Sequence, residues 1–136
     1  MKRTMLIVAM YILFLGMVGC SPPEYTEYDT LSELCEQAEH SEHVKVSGVL
    51  KLPEIVIYDD RYLIQLVEDL NQEGSPLLLR ISKGGGKNRM EALPENYTYD
   101  DFKVHTADGR VVGHGDAVVV SGRYFSGCTL TVDVVE

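Results

Sequence analysis

The chain has 136 residues, with 12 basic and 21 acidic side chains and a formal net charge of −9. That length accommodates one folded domain, and the acid excess opposes binding to DNA, whose affinity for proteins comes mainly from phosphate neutralisation. The same excess favours solubility.

The first residues are Met1-Lys2-Arg3, followed by an apolar run over residues 5–18 interrupted by Tyr11 and Gly16. A charged start and a short greasy middle are the marks of a secretory signal. A bilayer-spanning helix needs about 20 apolar residues, so the run is short for one. It ends in Met17-Val18-Gly19-Cys20, which resembles the lipobox of bacterial lipoprotein signals, although Met17 stands where Leu is commonest. An ordinary signal peptide or an uncleaved anchor is the alternative. The resemblance implies that residues 1–19 are removed and that Cys20 is acylated on sulfur and becomes the new N-terminus. It places the chain on the cell membrane or outer membrane, with the domain on the extracytoplasmic side. Two or three acyl chains make such anchoring stable, at roughly 0.8 kcal/mol per buried methylene.

Loss of residues 1–19 removes two bases and no acid, leaving 117 residues at a formal charge of −11. Cys35 and Cys128 then remain. Outside the cytoplasm an even pair reads as a disulfide, and otherwise as two buried free thiols.

Residues 20–29 read as a tether, with two prolines, acids and no aliphatic side chain to pack. Residues 30–43 are expected to hold a helix. Thr30-Leu31-Ser32-Glu33 fits a capping box, and Leu31, Leu34, Cys35 and Ala38 form one apolar face, with an end near Ser41. From residue 44 the period changes to that of strands. Val44, Val46, Gly48 and Leu50 alternate with Lys45, Ser47 and Val49, and Pro53 is expected to end this strand, with residues 55–58 extending or re-forming it. Asp59-Asp60-Arg61 reads as a turn. Residues 62–68 and 77–82 are the next two strands. A loose stretch then starts at Gly84-Gly85-Gly86, with room for a short helix over 89–93 and a hairpin about Asp108-Gly109. Residues 117–124 and 128–135 are the last two strands. Val118, Val120, Leu130, Val132 and Val134 are expected to face in, and Val119, Ser121, Arg123, Thr131 and Asp133 to face out.

The strands Val44-Lys45-Val46-Ser47-Gly48-Val49-Leu50, 115–124 and 130–136, with their turns, resemble an OB-fold domain over residues 44–136. The expected fold class is therefore mainly β: a small OB-like antiparallel β-barrel of five or more strands, preceded by one short α-helix. The resemblance implies a ligand face across the second and third strands, bounded by the loops between strands one and two and strands four and five. Those loops would gather Tyr58, Tyr62, Tyr124 and Phe125 with Asp59, Asp60 and Arg123. Aromatics beside acids suit sugars, peptides or cationic groups better than nucleic acid.

Other constellations are weaker. His40-Ser41-Glu42-His43 lacks the spacing of a zinc-hydrolase helix, and His114 in a Gly-rich turn reads as a turn residue. Gly84-Gly85-Gly86-Lys87-Asn88 lacks the Ser or Thr of a phosphate loop. With Arg80, Lys83 and Arg89 it forms a basic cluster able to receive an acidic partner or a headgroup. There is no Gly-x-Ser-x-Gly elbow. No catalytic residue, metal site or cofactor is implied. The expectation is a lipid-anchored, non-enzymatic binding or envelope-interaction module. Its partners would be the membrane, through Cys20, and an envelope protein, peptide or glycan. The alternative is a small cell-envelope hydrolase with a loop site.

Overall fold

The structure is a computed structural model that describes residues 23–57, 60–71 and 74–136. Residues 1–19, Cys20, Tyr58 and Asp59 lie outside the described residues. The strands are β1 (Thr26–Tyr28), β2 (His43–Ile57), β3 (Arg61–Val67), β4 (Leu77–Lys83), β5 (Arg89–Met90), β6 (Val104–His105), β7 (Val111–Val112), β8 (Ala117–Phe125) and β9 (Thr129–Val135). A helix, α1 (Leu31–Gln37), lies between β1 and β2, and a single 3-10 turn spans Tyr99–Asp101.

Five strands close a barrel. β2 pairs antiparallel with both β3 and β8, β3 with β4, and β8 with β9, while β4 runs parallel to β9. The chain is mainly β, and this small closed barrel with one short helix has the strand order of the OB-like fold. Closure hides the strand edges that would otherwise pair with other chains.

β2 is long because it belongs to both halves of the barrel. Its pairing with β3 shifts register between Lys51 and Val56. Pro53 falls inside that interval, where its missing N–H interrupts no ladder, so the strand continues through a residue expected to end it. At Gly48 the Leu66 side chain fills the space a side chain would need: a Cβ there would stand 2.6 Å from Leu66 Cγ.

Alternation holds for Val44, Val46 and Leu50, for Ile64 and Leu66, for Leu77, Leu79 and Ile81, and for Val118 and Val120, all buried. It fails at the end of β3, where Val67 is buried beside Leu66, and in β9. The β8–β9 register shifts between Ser121 and Gly122, whose partners are Val134 and Val132. The extra residue, Asp133, makes a β-bulge, and a bulge reverses the facing of the residues beyond it. Val135 rather than Val134 therefore enters the core. Ser121, expected outside, is also buried, although Val120, Gly122 and Tyr124 on its own strand keep their alternation. Gly122 is required there, because a Cβ would stand 2.0 Å from Thr131 O.

α1 begins at the N-cap its sequence indicates, through the Thr30 half of the expected capping box. Thr30 Oγ1 accepts from Glu33 N at 3.1 Å, and Glu68 accepts from Leu31 N at 2.9 Å. Leu31 and Leu34 are fully in the core, with Cys35 and Ala38 packed against it. Burying each leucine contributes roughly 1.5–3 kcal/mol. The helix stops at Gln37, short of Ser41, because the next residues join β8: Ser41 N donates to Tyr124 O and Tyr124 N to Glu42 O, both at 2.8 Å. The two cysteines are joined as a disulfide, with Cα atoms 5.0 Å apart, fastening α1 to the β8–β9 turn.

The insert between β4 and β8 sits toward the other end of β9, where Ala107 N donates to Val135 O at 2.8 Å. It contributes Met90, Phe102, Val104 and Val112 to the same core. Residues 89–90 form a strand, not a helix, because β5 pairs parallel with β4 and antiparallel with β6. The Asp108-Gly109 hairpin forms as its sequence indicates, with Val104 opposite Val112. The N-terminal segment also differs from expectation. Thr26–Tyr28 is a strand parallel to β2, and Tyr28 packs against the core, so the stretch read as a tether is held down over its second half.

Candidate functional site

The aromatic cluster expected at the loop ends is not what the structure presents. Tyr62 and Tyr124 are only 3% and 4% exposed. Each hydroxyl has an internal partner. Tyr62 accepts from Leu93 N at 2.8 Å; Tyr124 accepts from Cys128 N at 3.2 Å and donates to Cys35 O at 3.4 Å. These are core tyrosines whose polar ends satisfy backbone groups of the insert, α1 and the β8–β9 turn. Their burial leaves no ring face for a ligand.

What comes together instead is a row of outward side chains across the barrel wall. His43 on β2 is opposite Arg123 on β8. Arg123 is opposite Thr131 on β9, and Thr131 is opposite Arg80 on β4. Leu63 on β3 is opposite Arg80, and Arg61 lies two residues before Leu63, on the same face of the strand. Adjacent strands are about 4.8 Å apart, so Arg80 and Arg123 bracket Thr131 at roughly twice that distance. Arg61, Arg80, Arg123, His43, Phe125, Thr131 and Asp133 line one shallow concavity. Three arginines against one aspartate make it a local positive surface on a chain of charge −9.

Arg80 is held rather than neutralised. The Arg80 guanidinium lies 5.8 Å from the centre of the Phe125 ring, a cation–π arrangement. Phe125 in turn receives the His40 ring edge-on at 5.2 Å. Phe125, expected as a ligand platform, is thus the support that fixes Arg80. Among the described residues no carboxylate lies within ion-pair distance of Arg80 or Arg123; Arg61 has Asp60 at 3.9 Å, a solvent-exposed and correspondingly weak pair. Arginine offers a planar fork of donors suited to carboxylate and phosphate oxygens. The concavity offers donors suited to an oxyanion, with Thr131 between Arg80 and Arg123 in the strand ladder.

The N-terminal segment reaches this concavity. Tyr25 donates from its hydroxyl to Asp133 Oδ2 at 3.2 Å, and its ring stands edge-on to His43 at 5.9 Å. Partial burial, then the Asp133 charge and its hydrogen bond, raise the Tyr25 phenol above its ordinary value of 10.0.

The basic cluster read from the Gly-rich loop divides. Arg80 faces the concavity, Arg89 turns back to donate to Lys83 O at 3.3 Å, and Lys83 lies 4.7 Å from the centre of the Tyr62 ring. The histidines differ in their surroundings: among the described residues, His43 Nδ1 and His105 Nε2 are buried without a hydrogen-bond partner. His114 Nδ1 accepts from Leu52 N at 2.9 Å, and its ring stacks on Tyr99 at 4.2 Å. His105 Nε2 lies 3.5 Å from Glu91 Oε2. No cluster of three or more metal-ligating side chains occurs among the described residues. No described helix is long and apolar enough to cross a membrane.

Arg80 and Arg61 are the site residues that sequence reasoning missed as partners of Arg123. Each flanks inward-facing residues, as in Leu79-Arg80-Ile81, so outward orientation was available from alternation. Their convergence depends on the parallel β4–β9 pairing, which no local pattern encodes. Comparison of the chain with protein-family models, with curated proteins and with solved structures gives no match.

Proposed function

We propose that this chain is a lipid-anchored, extracytoplasmic, non-enzymatic binding module. Cys20 carries the lipid, and the arginine-lined concavity contacts an anionic component of the cell envelope. The observation that supports the binding half is the meeting of Arg61, Arg80 and Arg123 on one face of an acidic barrel, two of them without a carboxylate partner among the described residues. The lipobox-like Met17-Val18-Gly19-Cys20 supports the anchoring half. A charge reversed against the chain's overall sign marks a partner of matching local charge, because complementarity sets specificity and encounter rate.

Two measurements test this reading. Cys20→Ser should release the chain from the membrane fraction and remove the acyl mass from the mature N-terminus; unchanged fractionation overturns the anchor. Nuclear magnetic resonance titration with inorganic polyphosphate should shift the backbone amides of Arg61, Arg80, Arg123 and Thr131, and Arg80→Gln with Arg123→Gln should abolish those shifts. Polyphosphate without effect on this face overturns the binding surface.

A further inference from the structure

We infer that the arginine-lined face docks onto phosphate headgroups of the same bilayer that holds Cys20, so that the barrel lies on the membrane in a fixed orientation. This deepens the function proposed above and rests on its reading of Cys20 and of the arginine face.

The inference comes from where the anchoring segment meets the barrel. Tyr25 bonds Asp133 and packs on His43, and both of those residues line the concavity with Arg61, Arg80 and Arg123. Tyr25 is five residues from Cys20. Five residues span at most about 18 Å when fully extended. A lipid on Cys20 therefore holds the edge of this face within that distance of the headgroups, and no other described barrel surface is tied so directly to the anchor. The face lies near the membrane by covalent connection, and it is the face with the right charge.

Charge settles the orientation. The mature chain carries −11, so an anionic bilayer repels most of its surface. Screening limits that repulsion to roughly 8 Å at physiological salt, which makes the sign of the nearest groups decisive. Basic side chains at a bilayer surface are attracted to anionic lipid. Arg80 and Arg123, bracketing Thr131, present guanidinium forks to adjacent phosphates, and tethering makes even weak contacts effective by raising local concentration.

The experiment supplies the anchor chemically, which separates this inference from acylation in the cell. The chain used begins at Cys20, the form that the proposed processing leaves. With Cys35 and Cys128 bridged, the thiol of a chain beginning at Cys20 couples to a maleimide lipid in phosphatidylcholine nanodiscs, with or without phosphatidylglycerol. A gadolinium-chelate lipid then broadens the amides nearest the headgroups. In phosphatidylglycerol discs, broadening should concentrate on His43, Arg61, Arg80, Arg123 and Thr131. It should lose that pattern in Arg80→Gln with Arg123→Gln, and at high salt, while the chain stays coupled. Broadening spread over all faces of the coupled wild-type chain, or an identical pattern in the double variant, overturns headgroup docking. If polyphosphate still binds in that event, the face serves a soluble or polymeric anion instead. Loss of polyphosphate binding as well removes the binding surface itself.

Discussion

The Tyr25 hydroxyl donates to Asp133 across 108 residues of sequence, and this bond fixes where the N-terminal segment leaves the barrel. Neutral tyrosine is the favoured form there, because burial and the Asp133 carboxylate both oppose the phenolate. The contribution is therefore complete below the unfolded phenol pKa of about 10 and is lost as pH rises through the higher folded value. Asp133→Asn should bring the Tyr25 titration midpoint, followed by ultraviolet difference absorbance or carbon-13 shifts, back toward 10.0. A midpoint unmoved by the substitution would show that Asp133 does not face the phenol in solution.

The Cys35–Cys128 bridge closes a sequence separation of 93 residues and ties α1 to the β8–β9 turn. Chain-entropy arguments give a crosslink of that span roughly 4–5 kcal/mol. Cys35→Ser with Cys128→Ser should lower unfolding free energy by about that amount or somewhat less, read from urea midpoints. The reductant sensitivity of the wild type should disappear in the double variant. Equal stability with and without reductant would mean the thiols are free.

What was legible in the sequence was local. Thr30 capping Glu33, the alternation of Val118 and Val120, and the turn at Asp108-Gly109 each needed only neighbouring residues. What was hidden depended on register. Val134 and Val135 exchange places because of one bulged residue, and no periodicity announces a bulge. Tyr62 and Tyr124 resemble loop aromatics until Leu93 N and Cys128 N are seen to satisfy their hydroxyls. The arginines meet only because β4 runs parallel beside β9. The candidate site was thus half visible, as Arg123 and Phe125, and half a product of topology.

Gly48 tests the close approach of β2 to β3. A methyl group there would collide with Leu66, and overpacking of that kind typically costs about 1–3 kcal/mol. Gly48→Ala should be destabilised by an amount in that range, and with Leu66→Ala, which removes the colliding Cγ, the double variant should lose less than the sum of the two single losses. Additive losses in denaturant melts, with no coupling between the sites, would place Leu66 away from Gly48.

Asp108 carries an acid-pH prediction. Its carboxylate accepts from Thr106 Oγ1 and pairs with Arg110 Nε at 2.9 Å, and these contacts, the threonine first, lower its pKa below 3.8. A depressed acid contributes stability above its unfolded pKa and loses it as pH falls through the folded one. The hairpin should therefore keep this contact down to pH values below the ordinary carboxylate range, and then lose it. Carbon-13 titration of the Asp108 carboxyl should give a midpoint below 3.8, rising toward that value in Thr106→Val. Thr106 is itself buried and accepts from Arg110 N at 3.0 Å, so Thr106→Val also leaves that amide without its acceptor. Arg110→Gln removes the guanidinium, with its hydrogen bonds and its charge, and leaves Thr106 in place, which separates the two effects. A midpoint raised by Thr106→Val more than by Arg110→Gln agrees with the threonine as the larger cause, and the reverse order would make the ion pair dominant.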